Sequence, residues 1–252
     1  MSLEASIAAL TAQAGLLMDL PAQIAAAANG KLSELAQQFQ ARQASMYVIY
    51  YVDQGTGADT AAGTQSAPIR SIDEALRRTP AGGACVVRLL SDYVVSSDIT
   101  IYNRFVRIEG DASSRKNIVF SRLLRDEQSV QKRSCVNIRL AHRAQICVLY
   151  VNLKLPSIGD WGGYANSAWN GVFCCWQPDA PLLAVSLYAC GLNRPADCMS
   201  PMFVAGSPIA LTVSACTETA EPMNGWWLSS YTNAAGTSVV NVSNVVTNLA
   251  TI

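Results

Sequence analysis

The stretch I-C-V-L-Y-V-N-L at residues 146–153 carries apolar side chains at its first, third, fifth and eighth positions. A spacing of two places three of these side chains on one face of a β-strand, and the eighth position resumes that face after a bend. Three further copies follow, beginning 37, 26 and 29 residues apart, and this recurrence predicts the stacked coils of a solenoid. The four copies are Ile146, Val148, Tyr150 and Leu153; Leu183, Val185, Leu187 and Cys190; Ile209, Leu211, Val213 and Cys216; and, imperfect at its first position, Ser238, Val240, Val242 and Val245.

The segment before this repeat predicts strands, turns and one short helix. Residues 46–52 are β-branched and aromatic, and residues 71–79 predict an amphipathic helix with Ser71 as N-cap and Glu74 at the capping-box position. The glycine-rich segment 53–64 lacks the glutamate that closes an EF-hand, so a structural turn is favoured over a calcium loop. Further strands are predicted at 85–90, 99–102, 105–109, 117–121, 135–140 and 145–153.

Residues 2–43 predict helix, with apolar positions in alternating steps of four and three. Pro21 interrupts the pattern, Asp19 is placed to cap a second helix, and the heptad frame shifts there as at a break or a stutter. Because a short helix of this kind is marginal alone, the pattern favours self-association over packing on its own domain. The predicted oligomerisation residues are Leu3, Ile7, Leu10, Leu17, Ile24, Leu32, Leu35 and Phe39.

Composition and charge exclude several classes of protein. The formal net charge is zero and only 14% of residues are charged, so no global field attracts nucleic acid, and the low charge content favours an oligomer. Residues 115–143 hold eight Lys and Arg against two Asp and Glu. This basic segment is interpreted as a solvated loop between two coils in preference to a patch for an acidic partner.

Eight cysteines include no C-x-x-C pair, and His142 is the only histidine, so we expect no metal site and no cofactor. Thiols on the inward stripe, such as Cys190 and Cys216, predict folding in a reducing cytoplasm. The start has no basic region typical of a signal peptide, and no apolar run suggests membrane insertion.

Two aromatic-rich loops, 161–176 and 224–231, interrupt the repeat. Tryptophan and tyrosine faces bind sugars or anchor protein interfaces, so these loops are the candidate receptor site. The alternative, equally weighted, is that the aromatic side chains close the end of the stack or the trimer axis. The candidates are Trp161, Tyr164, Trp169, Trp176, Trp226, Trp227 and Tyr231.

The segments Y-Y-V-D-Q-G-T-G-A-D-T-A-A-G-T-Q-S-A-P-I-R-S-I-D-E-A-L (50–76) and P-A-G-G-A-C-V-V-R-L-L-S-D-Y (80–93) resemble the start of a right-handed parallel β-helix. They are similar to the heads of pectate-lyase-like proteins and of bacteriophage tail spikes and tail fibres. The resemblance implies a mainly β fold, with a helix-containing cap at 46–84 in a short β-helix domain at 46–252. A coiled-coil-like helical stalk at 1–45 before such a head resembles trimeric tail fibres, and a homotrimer is expected.

The resemblance implies a receptor-binding tail fibre protein, an adhesin that attaches the virion to the bacterial host surface. Its expected partners are its own copies, other tail or baseplate proteins through residues 1–45, and a host glycan, pilus or outer-membrane protein. It would be assembled in the host cytoplasm. No catalytic residue is predicted, because the acidic residues after 143 lie outside the repeat strands: Asp160, Asp179, Asp197, Glu218 and Glu221. The alternatives are a polysaccharide depolymerase, acting as hydrolase or lyase, and a structural baseplate or hub protein.

Overall fold

The computed structural model of the chain describes residues 2–157, 167, 170–175, 182–205, 208–228 and 245–251, without the side chains of Cys175, Leu183 and Ala205. The chain divides into two units, Met1–Ser45 and Met46–Ile252. It is mainly β, with one long N-terminal helix and sheets of parallel strands.

The helices are α1 (Leu3–Ser45) and α2 (Ile72–Arg78), and the described strands are β1 (Tyr47–Val52), β2 (Ala84–Leu89), β3 (Tyr93–Val95), β4 (Ile99–Tyr102), β5 (Phe105–Glu109), β6 (Lys116–Phe120), β7 (Arg122–Glu127), β8 (Val130–Cys135), β9 (Ile138–Ala141), β10 (Gln145–Leu149), β11 (Val151–Lys154), β12 (Phe173–Cys175), β13 (Leu183–Tyr188), β14 (Gly191–Arg194), β15 (Phe203–Ala205), β16 (Ile209–Ser214), β17 (Thr217–Ala220) and β18 (Val245–Thr247).

The first unit is a single helix, and the predicted division into two helices at Pro21 is wrong. α1 continues through Pro21 without interruption. An interior proline removes the hydrogen bond to the carbonyl of Leu17 and costs about 3 kcal/mol. The alanine run at 25–28 and the leucines before Pro21 have high helix propensity, which sustains the helix on both sides. The shift of the heptad frame is therefore a stutter inside one helix.

Three parallel sheets form the second unit, and the chain visits them in rotation. Sheet A has the order β1-β2-β5-β10-β13-β16-β18, sheet B the order β17-β14-β11-β6-β3, and sheet C the order β15-β12-β9-β4. From β2 to β17, successive strands enter sheets A, B and C in turn, so each circuit adds one strand to every sheet. The hairpin β7–β8 is an antiparallel insertion between β6 and β9.

Inward side chains of sheet A form two rows, with one residue in register from each of the six strands β1, β2, β5, β10, β13 and β16. All of them are buried except Val48 and Val213, which are partly buried. In sheet C, the rings of Phe173 and Phe203 stack at 5.3 Å between centroids. Burying one such side chain contributes about 1.5–3 kcal/mol. The rows are Val48, Cys85, Val106, Ile146, Val185 and Leu211; and Tyr50, Val87, Ile108, Val148, Leu187 and Val213.

The sequence repeat predicts one of its three registers. Leu183 pairs with Ile209, as the second and third copies require, and this register is confirmed. The other two registers are wrong, because Ile146 pairs with Val185 rather than Leu183, and Ile209 pairs with Val245 rather than Ser238. A shift of two residues keeps every side chain on its face, so a period-two pattern cannot detect it. The fourth copy is displaced by seven residues, from Ser238 to Val245, and this odd number is not explained by a slip of two. Ser238 itself lies outside the described residues.

The corner between sheets A and B explains the bend in the repeat. Tyr150, Ala189 and Ala215 occupy equivalent places and have φ of 54°, 51° and 54°. The chain turns at these left-handed residues, so Tyr150 leaves the inward stripe and Leu153 resumes it. The corner N–H of Tyr150 donates to Tyr188 O at 3.3 Å, and that of Ala189 to Ser214 O at 2.9 Å. At Gly110, the preceding equivalent, a methyl group would overlap the carbonyl oxygen of Tyr150.

The N-terminal end of the stack is closed by α2 and by side chains that satisfy backbone groups. Ser71 is the N-cap, and its hydroxyl accepts the N–H of Glu74 at 3.1 Å, as predicted. The Glu74 carboxylate instead binds the guanidinium groups of the last helical turn. Asp53 accepts the N–H groups of Gly55 and Thr56, and Asp59 accepts that of Ser71, which supports the structural interpretation of this turn.

Side-chain amides close two strand edges. Gln54 donates to Val94 O at 2.9 Å and accepts Val94 N–H at 2.7 Å, on the edge strand of sheet B. Asn248 makes the same pair of bonds with Val213, at 2.6 and 2.9 Å. Each amide imitates one residue of a neighbouring strand and covers an edge that would otherwise pair with another chain.

The basic segment 115–143 contains β6 and β9, near the strands predicted there, and between them an excursion that is the hairpin β7–β8 rather than an irregular loop. β7 and β8 pair antiparallel over six residues each, and Asp98 holds them against the stack. Asp98 binds Arg125 at 2.6 Å and Arg139 at 2.5 Å, and accepts the N–H of Asn137 at 3.0 Å. Ion pairs within the chain therefore neutralise part of the basic charge of this segment. Asp98 pairs with two of its arginines, and Lys132 pairs with Glu127 across the hairpin.

Replacing Asp98 with Asn should lower the free energy of unfolding by about 1–3 kcal/mol at pH 7, because two guanidinium groups lose a charged acceptor. Burial raises the pKa of Asp98, but hydrogen bonds from Arg125 and Asn137 outweigh burial and hold that pKa below its usual value. A lowered carboxyl pKa stabilises the fold above the unfolded pKa, about 3.9, and loses that contribution as pH falls through the folded pKa.

Urea unfolding of wild type and D98N between pH 7 and pH 2 measures this difference. The difference in the free energy of unfolding between the two proteins should be largest near neutral pH and should disappear in acid. The exposed carboxylate of Asp126 on the same hairpin gives the matched control, D126N, which should unfold like wild type. A gap that stays constant down to pH 2 would contradict the role given to Asp98.

Candidate recognition site

α1 exposes the whole predicted oligomerisation stripe. No residue of α1 is buried within its own chain. The eight stripe residues are each between 56% and 78% exposed: Leu3, Ile7, Leu10, Leu17, Ile24, Leu32, Leu35 and Phe39. By length and composition alone, α1 is also long and apolar enough to cross a membrane, which the sequence pattern did not suggest. So much apolar surface requires a cover, either helices of other copies or a membrane.

The two described members of the aromatic candidate set lie in the core. Trp226 is 9% exposed and Trp227 is 4% exposed. Their carbonyl oxygens accept the N–H groups of Met202 and Phe203, and the guanidinium of Arg194 lies 4.7 Å from the Trp226 ring. These contacts fit the alternative interpretation, in which aromatic side chains close the end of the stack. The other five candidates lie outside the described residues and stay a prediction: Trp161, Tyr164, Trp169, Trp176 and Tyr231.

A polar cluster stands on the outer face of sheet A, where most neighbours are apolar or small. Tyr51, Arg88 and Glu109 are register partners on the adjacent strands β1, β2 and β5. Arg107 lies two residues before Glu109 on β5, so its side chain shares that face. Tyr150, at the corner after β10, completes the set. We call these five residues the arginine cleft.

Glu109 organises the arginine cleft. Its side chain is only 8% exposed, whereas those of Arg88 and Arg107 are 46% and 40% exposed. Arg88 Nε donates to Glu109 Oε1, and Arg88 Nη1 donates to the Tyr51 hydroxyl at 3.2 Å. Arg107 Nε lies 2.7 Å from Glu109 Oε2. The hydrogen bond with Glu109 raises the pKa of Arg88 above its usual value, so this group stays a cation.

The cluster borders a surface cavity of about 480 Å³, within the size range of small-molecule sites. Tyr150 forms one side, and its ring meets that of Tyr188 edge-on at 5.8 Å. Asp111 is also on the wall, and its Oδ1 accepts the hydroxyl and the N–H of Ser113 at 2.6 and 2.8 Å. The remaining wall is contributed by Gln65, Leu89, Leu90, Gly110 and Ala112.

The charged groups of the arginine cleft do not match the arrangement that glycoside hydrolysis uses. General acid catalysis on a glycoside needs a carboxyl group with a raised pKa beside a second carboxylate. Hydrogen bonds from Ser113 lower the pKa of Asp111, and Glu109 is bound by two guanidinium groups. Two partly exposed arginines that are fixed by one buried carboxylate form instead a rigid pair of donors for an anion.

Sequence reasoning missed this cluster because its members come from four separate strands and corners. A signal was present: V-V-R-L-L (86–90) and F-V-R-I-E (105–109) place charges at alternate positions of otherwise apolar strands. Which outward positions become neighbours in successive coils can be predicted only when the register is known. The pairing of Arg88 with Glu109 supplies that register.

Seven of the cysteines are described as free thiols. Burial raises the pKa of Cys135 to about 12 and that of Cys174 and Cys198 to about 11, so these three thiols are poor nucleophiles. Among the described residues, no group of three or more His, Cys, Asp and Glu side chains is placed to hold a metal ion.

No family model matches the chain, and neither a curated protein nor a solved structure does.

Replacing Glu109 with Gln should lower the free energy of unfolding by about 1–3 kcal/mol, because two guanidinium groups would then face each other without a counter-charge. The double variant E109Q/R107Q should recover part of this loss, since one of the two cations is gone. Chemical denaturation of both single variants and the double variant gives the coupling energy. Strictly additive losses would contradict the contact between Arg107 and Glu109.

Proposed function

We propose that the chain is a homotrimeric bacteriophage tail fibre protein that attaches the virion to the bacterial surface. Residues 1–45 would form the helical stalk of the trimer and join it to other tail or baseplate proteins. Residues 46–252 would form a short right-handed parallel β-helix that carries the receptor-binding surface. The observation that carries this proposal is the combination of an apolar helix that has no buried residue with a stack of parallel circuits.

The rotation of the chain through three parallel sheets supports a β-helix. Each strand pairs in parallel with the strand one circuit earlier, and the inward rows are apolar in successive circuits. The left-handed corner residues Tyr150, Ala189 and Ala215 recur at equivalent places. An end closed by α2 and by Gln54 is the capping that a stack with exposed edges needs.

The stripe of α1 supports self-association. A 43-residue helix extends for about 65 Å at 1.5 Å per residue, and the leucines of its stripe are exposed. A helical bundle of copies would cover the stripe, and the many alanines allow close approach of the helices. Low affinity of a single binding surface is amplified when three copies act together, which suits adhesion to a repetitive cell surface.

The full-length protein in detergent-free buffer should have a native mass of three times 26.9 kDa. L10D places a charge in the stripe and should yield monomers. Ala12 lies about 200° around the helix from Leu10, so A12D is a matched control that should stay trimeric. Native mass spectrometry reads all three proteins. A wild-type monomer, or a protein that is recovered only with detergent or lipid, would contradict the trimer, and the second result would favour membrane insertion of α1.

Fluorescently labelled wild-type protein should bind saturably to whole cells of some bacterial strains in a panel, measured by flow cytometry. L10D should bind the same strains at least about 100-fold more weakly, because it loses multivalent attachment. A12D should bind like wild type. Absence of binding to every strain, or equal binding by the L10D monomer, would contradict an attachment function through the trimer.

A further inference from the structure

We propose that the arginine cleft binds a carboxylate-bearing sugar, such as a uronic acid unit of a bacterial surface polysaccharide. This inference rests on the proposed function, because it names a receptor chemistry for the attachment surface. It also places that recognition on the lateral face of sheet A, away from the aromatic loops that the sequence suggested.

The two guanidinium groups retain donors for a ligand. A guanidinium has five N–H bonds. Arg88 uses Nε on Glu109 and Nη1 on Tyr51, and within the described residues its Nη2 donates to no protein atom. Arg107 is held near Glu109 through Nε, and that buried nitrogen has no aligned hydrogen-bond acceptor in the part of the chain that the structure describes. Among the described residues, no hydrogen bond or ion pair uses the terminal nitrogens of Arg107, so these are available to a carboxylate, which accepts two parallel N–H bonds from arginine.

The charge balance of the arginine cleft favours an anion. The carboxylate of Glu109 lies below the surface, while both cations reach it. Within the five residues of the arginine cleft, one buried carboxylate offsets one of two cations, and the exposed charged groups are the two guanidinium groups. Asp111 on the wall is a second carboxylate, and Ser113 donates both of its bonds to Asp111 Oδ1. A ligand carboxylate therefore has to bind at the guanidinium groups rather than beside Asp111. A carboxylate at this place would gain charge-assisted bonds without having to displace an existing partner.

The walls of the cavity favour a sugar over a bare anion. Tyr51 and Tyr150 flank the arginines, and tyrosine faces pack against the C–H faces of sugar rings while their hydroxyls bond to sugar hydroxyls. Gln65 adds an exposed amide that both donates and accepts. A cavity of 480 Å³ has room for a ring in addition to its carboxylate.

The preorganisation of the cluster distinguishes it from a surface ion pair. Side chains on three adjacent strands are locked by register, since Tyr51, Arg88 and Glu109 are consecutive partners. Locked arginines lose little conformational entropy when they bind, which lets a small acidic ligand bind measurably. Cross-strand ion pairs that only stabilise the sheet would show the same contacts. The test must therefore measure ligand binding rather than stability.

The probes are D-glucuronate and D-glucose, which differ only at C6, titrated into the full-length protein and read by saturation-transfer NMR. Wild type should bind glucuronate at least about tenfold more tightly than glucose, the value of one charge-assisted hydrogen bond. R88Q and R107Q should each weaken glucuronate binding about tenfold. Arg143 is an exposed arginine that shares a separate small cavity with Tyr102, so R143Q removes the same charge elsewhere and should bind like wild type.

Two further measurements keep the proposal testable if an arginine variant fails to fold. Y51F removes only the hydroxyl that orients Arg88 and should weaken glucuronate binding about two- to threefold. Amide hydrogen exchange of wild type should show glucuronate protection confined to peptides of β1, β2, β5 and the corner at Tyr150. Equal binding of glucose and glucuronate, undiminished binding by R88Q and R107Q, or protection elsewhere would overturn the proposal.

Failure of this inference and failure of the proposed function give different results. A trimer that binds bacterial cells but does not prefer glucuronate would overturn the assignment of the arginine cleft alone. A protein that binds glucuronate through Arg88 and Arg107, yet is monomeric and binds no bacterial strain, would overturn the attachment function and leave the arginine cleft as a sugar site.

Discussion

In-register parallel pairing is the constraint on which the second unit depends. A strand in the interior of sheet A has its backbone N–H and C=O groups satisfied by the circuits before and after it, so each circuit copies the register of its neighbour. Because the register is shared, inward residues align into apolar rows and outward residues align into a surface pattern. Stability and surface display therefore come from the same hydrogen bonds.

In-register pairing also sets requirements at the corners between sheets, at the edge strands and at the hairpin insertion. Turning from sheet A to sheet B requires left-handed residues, and their N–H groups pair with the next circuit instead of remaining unsatisfied. Edge strands leave open ladders, and the amides of Gln54 and Asn248 cover two of them. An insertion such as β7–β8 can extend from a circuit without disturbing register, provided that Asp98 fixes its base. The proposed binding function uses outward positions, where substitutions do not affect the apolar rows.

The strands and the short helix were predictable, whereas the alignment of circuits was only partly so. The strands follow from the period of two in the apolar residues, and the short helix follows from the capping sequence at Ser71. Both signals depend only on residues that are close together in the sequence. The register between Ile146 and Val185 depends on how many residues precede the corner, and an even slip leaves the pattern unchanged. The arginine cleft inherits this difficulty, because Arg88 and Glu109 meet only through the pairing of β2 with β5. The sequence allows two interpretations of Trp226, which is buried, because composition cannot distinguish an exposed aromatic loop from one that closes the end of the stack.

Disulfide trapping across β10 and β13 tests the stacking most directly. Cys147 points outward and is the register partner of Ser186. Facing positions on adjacent strands are about 4.8 Å apart and fall within disulfide range, whereas a slip of two residues separates them by about 8 Å. Under mild oxidation, S186C should form a bond with Cys147 that peptide mapping identifies, and A184C should not. A cross-link between Cys147 and A184C, with none in S186C, would contradict the register and with it the aligned rows on which the fold and the arginine cleft depend.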